Sequence, residues 1–138
     1  MTPIRLLIVD DHELVREGLK LSFVGSDVEV VAEAENGEAA FAALLRQPVD
    51  VALVDVRMPG SDGFRFLELV RQAGLKLPIV LMHTVNDGSE NVRRSRSLGA
   101  RGLLPKGLGR QEMVDAVRRV HAGEVLWDVQ ENGPPSTN

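Results

Sequence analysis

The sequence predicts an α/β fold, a doubly wound parallel sheet of five strands built as (βα)5, and three observations carry that expectation. Short apolar runs alternate with stretches whose apolar residues fall three and four apart; most of the short runs are continuous rather than alternating; and charged or hydroxyl residues stand just after them. Continuous Val, Ile and Leu runs are what parallel strands need when right-handed crossover helices cover both faces of the sheet.

The first strand is "IRLLIV" (4–9), followed by the acids Asp10 and Asp11 and by a helix carrying Leu14, Val15, Leu19 and Phe23. "VEVVAEA" (28–34) is the second strand, and Asn36-Gly37 opens a helix with Ala39, Ala40, Ala43 and Leu44. "DVALVD" (50–55) ends on Asp55, after which Gly60-Ser61-Asp62-Gly63 leads into a helix with Phe66, Leu67 and Val70 and Gly74 just past its end. "PIVLMH" (78–83) is followed by Thr84, then by Asp87-Gly88-Ser89 and a helix with Val92, Ser95 and Leu98, with Gly99 after it. "RGLLP" (101–105) delivers Lys106, and Met113, Val114, Val117 and Val120 mark the last helix. The tail "ENGPPSTN" (131–138) has nothing to bury and reads as a linker or frayed end.

Composition narrows the function. The chain has 138 residues, 43% of them hydrophobic and 26% charged, which suits one soluble domain. With no cysteine, disulfides and thiolate metal sites are out of reach. The start, "MTPIRLLIVDDH", turns acidic too soon for a signal or transit peptide, and no apolar stretch reaches membrane-spanning length, so a cytoplasmic protein without a membrane contact is expected. A net charge of -4 argues against a nucleic-acid surface over the whole domain. The charge is uneven, however: residues 93–119 hold 8 basic and 2 acidic side chains, a segment that reads as a solvated helix face or a surface for an acidic partner.

In a doubly wound sheet, ligands bind beyond the carboxyl ends of the strands. Asp10, Asp11, Asp55, Thr84 and Lys106 all stand there, and only the second strand, expected at the margin, contributes nothing comparable. Singly, each has an ordinary explanation as a helix cap, a turn residue or a surface charge. Jointly they do not, because three carboxylates on neighbouring strand ends repel one another unless a cation neutralises them. Oxygen ligands suit a hard ion, and few carboxylates with room for water suit Mg²⁺ better than Ca²⁺. A carboxylate beside Mg²⁺, with an ammonium and a hydroxyl aimed at the same space, has the parts for phosphoryl transfer to an aspartate, with Asp55 the central candidate.

"LLIVDDH", "VALVDVRMPGSDGF", "PIVLMHT" and "GARGLLPKG", in this order and spacing, resemble the CheY-like receiver domain of two-component response regulators over residues 4 to 121. "GLGRQEMVDAVRRVHAGEVLW" resembles the last helix and exit segment of the LuxR/NarL class. The resemblance implies a flavodoxin-like sheet of strand order 2-1-3-4-5, with a receiver domain at 1–122 and an exit segment at 123–138 leading to an absent effector domain. It implies that Asp55 accepts phosphate from a sensor histidine kinase or phosphotransfer protein. Asp11 and Asp55 would bind Mg²⁺ directly with the backbone carbonyl of Arg57, and Asp10 mostly through water. Thr84 and Lys106 would each contact a phosphoryl oxygen, and Lys106-Gly107 is a candidate cis peptide. A switch that catalyses only its own phosphorylation and dephosphorylation follows, homodimeric on activation along the first and fifth helices, with DNA met only through a C-terminal helix-turn-helix.

Other side chains receive plainer expectations. Arg57 is either a tuner of the phosphoryl group or an exposed loop arginine; His12 is a first-turn helix residue rather than a ligand; His83 is a core or interface histidine; Trp127 covers the end of the last helix. The family's aromatic three residues before the lysine is here Leu103, and the chain has no tyrosine. A haloacid dehalogenase-type phosphohydrolase would need D-x-D, whereas Asp10 and Asp11 are adjacent and Asp55 is followed by Val56 and Arg57. A dinucleotide-binding domain would need G-x-G-x-x-G after the first strand, and a receiver-like docking domain that takes no phosphate would not need the complete acid set.

Overall fold

The structure is a computed structural model that describes residues 2–85 and 88–129; Asp87 and the tail "ENGPPSTN" lie outside the described residues. Its elements run β1 (Ile4–Val9), α1 (Glu13–Phe23), β2 (Val28–Ala34), α2 (Gly37–Leu44), β3 (Val51–Asp55), α3 (Gly63–Gln72), β4 (Ile79–Thr84), α4 (Ser89–Ser97), β5 (Gly102–Pro105) and α5 (Arg110–His121). All strand pairs are parallel and the order is β2-β1-β3-β4-β5, as expected. Winding reverses between β1 and β3, so the ends of β1, β3, β4 and β5 share one edge.

Side-chain alternation sorts the core into two layers. Leu7, Val9, Ala52, Val54, Val80, Met82 and Leu103 point to the side covered by α2, α3 and α4. Leu6, Ile8, Val51, Leu53, Leu81 and Leu104 point to the side covered by α1 and α5, where Phe23, Met113, Val117 and Val120 meet them. Leu14 departs from the expected apolar face of α1 and is 86% exposed. It shares an i, i+4, i+7 stripe with Gly18 and Leu21 on the solvent side, so the buried stripe is the other one, through Leu19 and Phe23.

α4 is anchored differently from the other helices: its buried residues are Asn91 and Ser95, while Val92 and Leu98 at its end pack partly buried on the core. Its outer arginines instead lie on aromatic rings, Arg94 over Phe64 at 4.2 Å and Arg96 over Trp127 at 4.9 Å from the centroids.

Trp127 therefore does not cover the end of α5. After a turn at Gly123 (φ +104), the exit segment runs back along the free edge of β5, where the Leu103 N–H donates to the Leu126 carbonyl and the Leu126 N–H to the Arg101 carbonyl, both at 2.9 Å. Strand alternation then sends Leu126 to the α5 side and Trp127 to the α4 side. Gly102 makes this close approach possible: a Cβ there would stand 2.8 Å from the Leu126 carbonyl oxygen and 2.9 Å from Leu81 Cδ2.

Gly102→Ala is expected to push the exit segment off β5 and to cost about 1–3 kcal/mol. Trp127 is the only tryptophan, so its emission should shift to the red; an unshifted spectrum with wild-type stability contradicts this packing.

Candidate functional site

The carboxyl edge of the sheet gathers the strand-end residues because each strand stops where its apolar run stops. Asp10 follows β1 and is held from both sides: the N–H of His12 donates to its Oδ1 at 2.9 Å, and Lys106 Nζ donates to its Oδ2 at 3.0 Å. Its side chain is 1% exposed. Burial, the largest single influence, pushes its pKa up, but the His12 N–H and the Lys106 ammonium outweigh it and leave Asp10 below the usual carboxylate range.

Asp55, the last residue of β3, accepts the Arg57 N–H on Oδ1 at 3.2 Å and faces Lys106 Nζ across 3.2 Å from Oδ2. Burial, helped by the charge of Asp10, outweighs Lys106 here, so its pKa lies above the ordinary value. The two buried carboxylates are pushed apart in acidity by their surroundings. The loop after β3 folds tightly enough for α3 to start against it, the Gly63 N–H donating to the Val56 carbonyl at 3.1 Å; a Cβ on Gly63 would stand 2.5 Å from the Asp55 carbonyl oxygen. Asp62 caps α3 through the Arg65 N–H at 2.9 Å and so lies outside the cluster.

Lys106 leaves β5 with its N–H on the Thr84 carbonyl at 2.9 Å, which fixes the base of the side chain to the end of β4. Its ammonium bridges Asp10 and Asp55, and these contacts raise its pKa although burial opposes them. The Lys106–Gly107 peptide is trans, against the expectation of a cis bond. Gly107 makes the exit with φ +108, and the cis peptide found among the described residues is Leu77–Pro78. Thr84 is buried at the end of β4, opposite Pro105 in register. His83 is buried beside Asp55 in register, and burial, then Lys106, lowers its pKa to about 4, so it is a neutral core histidine.

Asp11 differs from its neighbour. Its Oδ1 is buried and accepts no hydrogen bond, with the His12 ring Nδ1 3.3 Å away. One donor atom each from Asp10, Asp11, His12 and Asp55 lies within 4.8 Å of the others, a spacing and oxygen content that suit a hard divalent ion. His12 is the member that sequence reasoning set aside. Its position next to the acid pair and at the N-cap of α1 was the available signal. Arg57 is exposed. A cavity of about 380 Å³ lies away from this cluster, between Leu67, Leu75, Pro78 and Arg101 at the amino edge of the sheet.

Because the ionised form of Asp55 is disfavoured, Asp55→Asn is expected to stabilise the metal-free protein near neutral pH and so to raise its Tm. The sign follows from the raised pKa: the penalty exists above it and disappears as pH falls through it, so the gap between variant and wild type narrows in acid. Thermal melts in chelator across that range check both the sign and the trend, and a variant that melts below wild type refutes them.

Residues 6–118 match the family described as response regulator receiver domain. The chain is 39% identical over 124 residues to the response regulator GacA of Pseudomonas viridiflava, covering 88% of this chain and 56% of that one. It is 37% identical over 124 residues to the response regulator UvrY of Escherichia coli K12, with the same coverage. The chain thus spans about half the length of the curated relatives it matches. Among solved structures, the signal receiver domain of the putative response regulator NarL from Mycobacterium tuberculosis superposes with a TM-score of 0.84 at 36% identity, covering 90% of this chain and 100% of that one. With the family match over residues 6–118, these relatives and the parallel order β2-β1-β3-β4-β5, the chain belongs to the response regulator receiver domain family.

Proposed function

We propose that Asp55 is the phosphoacceptor of this receiver, taking its phosphoryl group from a phosphohistidine on a sensor histidine kinase or a phosphotransfer protein. The observation that supports this most is the Lys106 ammonium set between Asp10 and Asp55 at 3.0 and 3.2 Å. An oxygen of Asp55 attacks phosphorus while the P–N bond to the donor imidazole breaks. The bonding electrons leave with that nitrogen, and an acyl phosphate remains on Asp55.

Each neighbour has a part. Lys106 exchanges its contact with Asp55 for a phosphoryl oxygen, and Thr84, whose carbonyl already anchors Lys106, donates its hydroxyl to another. Asp11 and Asp55, with the carbonyl of Arg57, would hold Mg²⁺, and Asp10 would reach it through water; the buried Asp11 Oδ1, which accepts no hydrogen bond, supports this assignment. The ion, when bound, supplies positive charge to the oxygens of the transferring group. Arg57, exposed and two residues after the acceptor, is placed to meet the donor or screen the product. The domain acts as a switch, with no substrate beyond its own phosphorylation and dephosphorylation.

The longer relatives support a wider reading. Residues 1–122 form the receiver and 123–138 the exit toward an effector domain; activation favours a homodimer; DNA is met only through that further domain, and the setting is the cytoplasm. No helix among the described residues is long and apolar enough to cross a membrane.

Acetyl phosphate with Mg²⁺ is expected to add one phosphoryl group, stable to acid and labile to alkali, detected by intact mass; chelator and Asp55→Asn should each abolish it. An adduct that survives in Asp55→Asn refutes the assignment of the acceptor. Lys106→Ala should slow phosphorylation by about 10²-fold, the usual cost of losing one charge-stabilising donor, measured as the initial rate of adduct formation.

A further inference from the structure

At the amino edge of the sheet, opposite the acid cluster, the cavity of about 380 Å³ opens between the end of α3, the start of β4, the end of α4 and the residue before β5. That volume falls within the range of about 300–1,000 Å³ that small-molecule pockets occupy. Its floor is apolar and buried, formed by Leu67 and Val70 of α3, Pro78 before β4 and Val80 within it. Its charged lining is wholly cationic, Arg71, Lys76 and Arg101, with no acid among the residues around it. All three cations are exposed, as groups at a mouth must be.

On α5, Arg118 and Arg119 each pair with a carboxylate, Asp27 at 2.8 Å and Glu124 at 2.9 Å. None of the three cations at the cavity pairs with a carboxylate among the described residues. Their ordinary role would be to complement the carboxyl ends of α3 and α4, whose last carbonyls collect here. Those carbonyls are already satisfied by the backbone: the N–H groups of Ala73, Gly74 and Leu75 close α3, and those of Leu98, Gly99 and Ala100 close α4. Arg71 adds one bond, from Nη1 to the Ser97 carbonyl at 3.2 Å. Lys76 and Arg101 lie beyond the helices, and their side chains make no hydrogen bond among the described residues.

We propose that this cavity binds a small organic anion, its apolar body seated on Leu67, Val70 and Val80 and its carboxylate or phosphate held at the mouth by Arg71, Lys76 and Arg101. A guanidinium matches either head group through paired N–H donors, and the ammonium adds a point charge. The apolar floor selects a ligand with a hydrocarbon body over a bare inorganic anion, because only the former removes that surface from water. An acid-free lining repels cations and attracts anions. β4 carries the cavity about 17 Å from Thr84, so the inference stands apart from the assignment of Asp55.

Titration of the isotope-labelled chain with naphthoate, its neutral isostere naphthamide and inorganic phosphate, followed through backbone amide shifts, tests this. Naphthoate should give saturable shifts clustered at Leu75, Gly99 and Arg101 and bind at least about fivefold more tightly than naphthamide or phosphate. Lys76→Gln combined with Arg101→Gln should weaken naphthoate about tenfold and leave naphthamide unchanged; both side chains are exposed, so folding is secured and circular dichroism verifies it. The proposal is overturned by the lack of a saturable shift at the cavity, by naphthamide or phosphate binding as tightly as naphthoate, or by a double variant within about twofold of wild type. An oligoglutamate peptide that moves the same amides at lower concentration than naphthoate also overturns it, and makes this face a docking surface for an acidic protein segment.

Discussion

Everything at the carboxyl edge of the sheet depends on one ammonium. Asp10 and Asp55 are almost wholly buried, and two such carboxylates cannot both ionise at close range without a cation between them. Lys106 is that cation, and it reaches them only because β5 ends where it does. Its backbone is bonded to the end of β4, and its side chain crosses over β3 toward β1. The β2-β1-β3-β4-β5 order is what puts these strand ends side by side.

The same contact explains why adjacent acids have different characters. Asp10 spends both oxygens on fixed donors, the His12 N–H and Lys106, and is held ionised as part of the scaffold. Asp11 faces the same edge with a buried oxygen that accepts no hydrogen bond and has the His12 ring Nδ1 3.3 Å away. Asp55 lies between these conditions, oriented by one backbone N–H and one ammonium yet raised in pKa. A group oriented but incompletely compensated is the one that gains most from a positive ligand or from conversion to another functional group.

What was legible in the sequence is what local pattern controls. β1 and β2 fall on residues 4–9 and 28–34 as read, Asn36 and Asp62 cap their helices, and Gly74 and Gly99 take positive φ just past theirs. The gathering of Asp10, Asp55 and Lys106 was legible because it follows from winding alone. Trp127 was misplaced because its side depends on a backbone pairing with β5 that spans more than twenty residues, and no periodicity in the exit segment announces that pairing. Leu14 was misplaced because α1 carries apolar residues on two stripes, and only packing selects between them.

The element anchored by polar burial, α4, adjoins this edge. α4 buries amide and hydroxyl groups where the other helices bury Leu, Val, Phe or Ala, and the buried Ser95 Oγ has no hydrogen-bond partner. Apolar burial is worth about 25 cal/mol per Å², so a helix seated on Asn91 and Ser95 gains less from its position than α3 does from Phe66, Leu67 and Val70. Its outer hold comes from arginines lying on Phe64 and Trp127, contacts that resist sliding less than interlocked side chains do. Leu103 fills the interior below without an aromatic ring that could swing between two positions. The rings that meet α4's outer arginines belong to Phe64 on α3 and to Trp127 on the exit segment, neither of them on β5.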